Sequence, residues 1–123
     1  MNEEAGRRET GRRPKNSVEE LLTNEIVLRV ERANEHLKSK IKGTVLVKIK
    51  GQDTFHMDAT KGSLQVNKNG PTSADAVIEI GEHDLLRVAS GHLNPQIAML
   101  SDKITIAGNA ELAIYFFNLI APN

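Results

Sequence analysis

From residue 17 onward, the spacing of apolar residues divides the chain into helices and strands. Leu22, Ile26, Val30, Ala33, Leu37 and Ile41 follow one another at intervals of three and four. On a helical wheel they fall within an arc of roughly 100°, the width of one buried stripe. The spacing therefore predicts a single long helix. Ser17-Val18-Glu19-Glu20 opens it as a capping box, with Ser17 at N-cap and Glu20 at N3, and Gly43 ends it. The period then becomes two. Val45, Val47 and Ile49 alternate with Lys48 and Lys50, Phe55, Met57 and Ala59 with His56 and Asp58, and Leu64 and Val66 with Gln65 and Asn67. Alternation of this kind predicts three half-buried strands, and the short turns at 51–53 and 61–62 make them an antiparallel meander.

Past the loop Lys68-Asn69-Gly70-Pro71, a fourth strand is expected over 76–80, with Ile78 and Ile80 inward. A short helix over about 82–90 is stopped by Gly91. Asn94 then caps another, with Pro95 at its first position, where a missing N–H costs nothing. Residues 103–107 read as a fifth strand with Ile104 and Ile106 inward, and Asn109 caps a last helix from Ala110 to about Ile120. The predicted fold class is α+β: a five-stranded, mostly antiparallel sheet covered on one face by helices, its other face solvated by lysines and polar residues.

Residues 1–16 carry no Ile, Leu, Val or aromatic side chain, so they have nothing to bury and are expected to form a disordered polar tail before one domain over 17–123. Their basic cluster, Arg7, Arg8, Arg12, Arg13 and Lys15, is diluted by Glu3, Glu4 and Glu9. It reads as a solvated tail rather than a docking site for RNA or anionic lipid. The 123 residues contain 16 basic and 16 acidic side chains, so no global field draws nucleic acid, and none is expected as a partner. Cysteine is absent, which excludes disulfides, thiolate nucleophiles and cysteine zinc sites. No apolar run approaches the roughly 18 residues that span a bilayer. Neither a secretory signal nor an acid-poor transit peptide is legible, and the chain reads as cytoplasmic.

Between Ala74 and Leu119 the chain resembles the sterol carrier protein 2 family. The residues that carry the resemblance are Ala74-Asp75-Ala76, Asp84-Leu85-Leu86, Gly91-His92-Leu93-Asn94-Pro95-Gln96-Ile97-Ala98, Lys103-Ile104-Thr105-Ile106-Ala107-Gly108-Asn109, Leu112-Ala113 and Asn118-Leu119. The order of the earlier elements matches as well, so the resemblance covers about residues 17–120. It implies an apolar tunnel between sheet and helices, and non-enzymatic binding and transfer of fatty acids, fatty acyl esters, sterols or related lipids. Some bacterial relatives are lipid-binding accessory factors in isoprenoid-quinone synthesis. Met99-Leu100-Ser101-Asp102 departs from the family, which often has a Phe pair or Phe-Gly there. The chain ends Ala121-Pro122-Asn123 rather than in a Ser/Ala-Lys-Leu address, so a peroxisomal location is not expected.

The inward residues are mostly aliphatic, which suits a shape-tolerant cavity, and Met57 and Met99 can adapt to irregular contents. The expected lipid-binding residues are Ile26, Val30, Phe55, Met57, Leu64, Ile78, Leu86, Ile97, Met99, Ile104, Leu112, Ile114, Tyr115 and Phe117. Gln96 joins them as the head-group candidate, although a water-exposed first-turn residue is its plainer reading. On the last helix Leu112, Phe116 and Leu119 form the core stripe, with Tyr115 at its edge. Ile114 and Phe117 fall outside it, beside Glu111 and Asn118. That second apolar face must cover something: a ligand, a second subunit or the first helix. The resemblance favours the ligand. A homodimer, transient membrane contact, or docking of a lipid- or quinone-metabolism enzyme through this helix remain as partner readings.

Other chemistry is thin. His36, His56, His83 and His92 are scattered; His56 and Asp58 share a strand's solvent face without a third ligand nearby, so no metal is expected. His83-Asp84 reads as polarity at a helix start. No P-loop, dinucleotide fingerprint, nucleophile elbow or His-Glu-x-x-His occurs. A ketosteroid-isomerase-like pocket would pair buried acids with a donor such as Tyr115, and every Asp falls in a turn, an outward strand position or a helix start. No cofactor is expected, and the chain reads as a carrier rather than an enzyme.

Overall fold

A computed structural model describes residues 17–33 and 35–121. The polar segment 1–16 lies outside the described residues, as do the side chains of Ser17 and Leu37. Helix α1 (Ser17–Glu20) runs into a π-helical segment (Leu21–Glu25) and then α2 (Ile26–Arg32). The strands are β1 (Thr44–Ile49), β2 (Thr54–Asp58), β3 (Gln65–Lys68), β4 (Ala76–Ile80) and β5 (Ile104–Gly108). The remaining helices are α3 (Glu35–Lys40), α4 (Glu82–Ala89), α5 (Pro95–Leu100) and α6 (Ala110–Ile120).

The five strands form one sheet in the order β3-β2-β1-β4-β5. The β1–β2, β2–β3 and β4–β5 pairs are antiparallel; β1 and β4 are parallel at the sheet's centre. The register lines up the apolar sets. Val47 faces Phe55 on one side and Ile78 on the other, Ile78 faces Ile106, and Ile80 faces Ile104. With a side-chain period of two, this grid puts the alternating apolar residues of all strands on one face. The π segment, α2, α4 and α6 bury Leu22, Ile26, Val30, Leu85, Val88, Phe116 and Ile120 in the same core.

The expected long helix is interrupted twice. In the π segment the Ile26 N–H bonds to the Leu21 carbonyl, while the Thr23 hydroxyl donates to the Glu19 carbonyl at 2.6 Å, the side-chain competition that loosens a helical ladder. At Ala33 the backbone is extended (φ −71°, ψ 151°) and α2 stops. Apolar spacing carries straight through both points, so periodicity could not reveal them. The helix caps follow the reading. Asn94 accepts from the Gln96 and Ile97 N–H groups, and Asn109 from the Leu112 N–H.

The outer sheet face departs from expectation. Leu46 and His56 are both buried there. The chain leaving edge strand β3 must cross β2 and β1 to reach β4, and His56 Nε2 lies 3.2 Å from the Ser73 carbonyl oxygen on the way. The crossing therefore covers part of the face that alternation had assigned to solvent. His56 Nδ1 has no hydrogen-bond partner in this buried position. Asp58, its supposed companion in a metal pair, instead accepts from the Thr60 N–H and hydroxyl. Those bonds hold its carboxyl below the usual carboxylate range. Among the described residues, no three His, Asp or Glu side chains converge as a metal site would need.

Candidate functional site

Between α2, β1, β2 and α6 the apolar core leaves a small gap. Val30, Ile41, Val45, Met57, Leu64 and Leu119 wall an apolar seam there, joined by Gly43, Ala59, Leu112 and Phe116. Gly43 has no Cβ, and the Leu112 side chain fills the space one would take. The seam encloses a cavity of only about 10 Å³, room for about one water-sized sphere. It is a closed apolar contact between sheet and helices.

Two larger cavities are present, the first of which adjoins the seam. One, of about 250 Å³, sits under α3 and is bounded by Glu35, Lys38, Ser39 and Lys42, with Gly62 from the β2–β3 turn. Val30, Ile41 and Ala59 belong both to its wall and to the seam, so this polar-rimmed space and the apolar seam share a wall. The other, of about 180 Å³, lies between α5 and α6 and is lined by Asn94, Pro95, Gln96, Met99, Ile114, Phe117 and Asn118. No charged side chain lines it.

The expected binding residues distribute among these places. Val30, Met57, Leu64 and Leu112 meet at the seam. Gln96, Met99, Ile114 and Phe117 meet at the α5–α6 cavity. Ile26, Phe55, Ile78 and Ile104 are buried in the core away from both, and Leu86 packs against that core half-buried. Tyr115 is half-buried, with the Lys40 ammonium 5.5 Å from its ring centroid. Ile97 is 60% exposed on the outside of α5, as is Leu100 at 86%.

Phe117 is the main correction. It is 2% exposed, as deeply buried as Phe116. Helix α6 packs on β4, β5, α2 and α4, so Ala113, Phe117 and Ile120 form a second buried row beside Leu112, Phe116 and Leu119. Ile114 stays outside both rows, as the wheel placed it, and Gln96 is exposed at its cavity's rim. The lysines at 38 and 42 escaped the sequence reading. Spaced four apart before the first strand, they resembled any solvated helix face, and only their position over Ile41 distinguishes them.

Charged contacts hold the walls in place. The Arg29 guanidinium on α2 donates to the Leu119 and Ile120 carbonyls at 2.6 and 2.7 Å, which satisfies the C-terminal end of α6. Lys68 on edge strand β3 lies 2.9 Å from Glu19 and 3.4 Å from Asp53, tying α1 to the sheet. The hydrogen bond to Glu19, with the charges of Asp53 and Glu19, raises the Lys68 ammonium above its ordinary value. The Asn69 amide, helped by Lys68, holds the Asp53 carboxyl below its own.

Comparison with known proteins places this arrangement. The model of the SCP-2 sterol transfer family matches residues 24–121. Rabbit (Oryctolagus cuniculus) sterol carrier protein 2 is 34% identical over 104 residues, covering 80% of this chain and 19% of that protein. The chain thus spans about a fifth of that relative's length. Among solved structures, the sterol carrier protein domain 2 of Helicoverpa armigera superposes with a TM-score of 0.70 at 25% identity, covering 91% of this chain and 92% of that one. The palmitated SCP2L2 of Aedes aegypti superposes with a TM-score of 0.65 at 23% identity, covering 85% and 95%.

Proposed function

The chain belongs to the SCP-2 sterol transfer family, and on that premise we propose that it is a non-enzymatic carrier of one lipid molecule, held between the sheet and the helices α2, α3 and α6. The observation that carries this reading is the apolar seam and the wall of Val30, Ile41 and Ala59 that it shares with a larger cavity. At roughly 0.8 kcal/mol per buried methylene, a long acyl or isoprenoid chain supplies on the order of 10 kcal/mol toward binding before the costs of ordering. Walls of Val, Ile, Leu, Met and Phe offer few fixed hydrogen bonds, so chemically different chains are accepted.

A seam of about 10 Å³ cannot hold such a chain as it stands. Binding must part α6 or α3 from the sheet, shifting the protein to an opened conformer that the ligand stabilises. The expected lipid-binding residues at the seam and at the α5–α6 cavity are then contacts of the opened state. The palmitated Aedes aegypti relative supports a fatty acyl ligand as the first one to try.

Native mass spectrometry of freshly purified protein, followed by titration of delipidated protein with a fluorescent fatty-acid analogue, tests the reading. The expected results are a bound mass of a few hundred daltons, and one-to-one binding displaced by acyl, prenyl and sterol competitors. Failure of all three lipid classes to bind or displace would discard it.

A second reading, an accessory module that docks a lipid- or quinone-metabolism enzyme, draws support from Ile97 and Leu100, apolar and exposed on α5. It moves the docking surface away from α6, whose apolar rows face inward.

A further inference from the structure

Resting on the carrier reading, we infer that the cavity under α3 receives the ligand's anionic head group, so that the protein selects single-chain lipid anions over neutral lipids of equal length. The two larger cavities differ in charge. The α5–α6 cavity has only neutral polar groups at its rim, Asn94, Gln96 and Asn118. The α3 cavity carries two cations, Lys38 and Lys42, and a single acid, Glu35.

That acid neutralises little. Glu35 lies 3.9 Å from the Lys38 ammonium with its own side chain 93% exposed, and exposed pairs of this kind are weak and screened. The Lys38 side chain is 26% exposed, so its charge is partly withdrawn from water and attracts an anion more strongly than a fully solvated lysine does. Among the described residues Lys42 takes part in no ion pair. The Ser39 hydroxyl already donates to the His36 carbonyl at 2.7 Å, which leaves the two ammonium groups as donors to an incoming anion. Lys38 on α3 and Lys42 just past its end line the same cavity.

Size and the shared wall fix the ligand's orientation. A cavity of about 250 Å³ holds a carboxylate or a phosphate together with bridging water. Its floor of Val30, Ile41 and Ala59 is also the wall of the seam. A ligand with its head at the lysines therefore has the apolar seam just behind one side-chain wall, and its chain enters the interior when that wall parts. A sterol or long-chain alcohol gains the seam without gaining the lysines.

Delipidated protein titrated with palmitate, hexadecyl phosphate and hexadecanol at low and high ionic strength tests the inference. At low salt one or both anions bind about five- to tenfold more tightly than the alcohol, and the preference shrinks as salt screens it. Comparison of the two anions tells whether a carboxylate or a phosphate is favoured. Lys38→Met with Lys42→Met brings the anions to the alcohol's affinity and leaves hexadecanol binding unchanged. Lys42→Gln alone, at an exposed residue, makes the same comparison with minimal risk to folding. Equal affinity for all three probes in the unaltered protein overturns the head-group site and leaves the carrier standing, as does a preference that survives the loss of both lysines. If no probe binds, carrier and head-group site fall together.

Discussion

Asp75 joins three elements through three hydrogen bonds. Its carboxylate accepts from the Thr44 N–H at 3.0 Å, its own N–H donates to the Thr44 hydroxyl at 2.9 Å, and its carbonyl accepts from the Asn109 N–H at 2.8 Å. Gly108 passes directly over that carbonyl at φ +80°, and a Cβ there would collide with it. Asn109, the next residue, caps α6. The Ala-Asp-Ala and Gly-Asn segments that carry the family resemblance are thus two sides of one backbone crossing, where the ends of β1, β4 and β5 meet the start of α6. Gly108→Ala adds left-handed strain to a backbone collision, so it is expected to cost about 2–4 kcal/mol. Urea denaturation would measure this, and an unchanged midpoint would show that the crossing has slack.

Helix α6 carries two buried rows where the wheel predicted one, and the difference changes what its substitutions should do. Phe117→Ala is expected to cost about 3–5 kcal/mol, as much as Phe116→Ala, because each empties a fully enclosed site. Ile114→Ser lies outside the rows and is expected to cost below about 1 kcal/mol. Denaturation midpoints of the three variants decide it; Phe117→Ala as mild as Ile114→Ser would restore the single-stripe orientation. The sequence displayed element types, caps and inward strand faces, since each is written in residues a few positions apart. It could not display depth. Phe117, beside polar Asn118, is buried on a helix that packs against β4, β5, α2 and α4, contacts far away in the chain. His56 meets a segment seventeen residues downstream, at Ser73. The seam was half legible on the same terms: Val30, Met57, Leu64 and Leu112 follow from periodicity, whereas the lysines above it acquire meaning only from the cavity beneath them.

Viewed as a whole, the molecule is a sheet whose helices cover an apolar seam, with Arg29 fastening α6 to α2 at one side of that seam. The sheet that supports this is held at its centre by the parallel β1–β4 pair, and that pair governs the order in which the fold can assemble. The β1–β3 meander closes through short turns on a microsecond scale. Joining β4 to β1 closes a loop of 31 residues, the separation of Thr44 from Asp75, and its entropy must be lost before any contact repays it. Until that happens the β4–β5 pair, with the helix α6 that packs on it, stays apart from the meander. The slow step of folding is therefore the closure of the sheet's centre. Ile78→Val is expected to slow refolding in stopped-flow experiments, whereas Val66→Ala on edge strand β3 mainly speeds unfolding; the reverse pattern would place the nucleus in the meander. The seam, walled by β1 and β2 on one side and α6 on the other, is thus expected to shut only when the two halves of the sheet join.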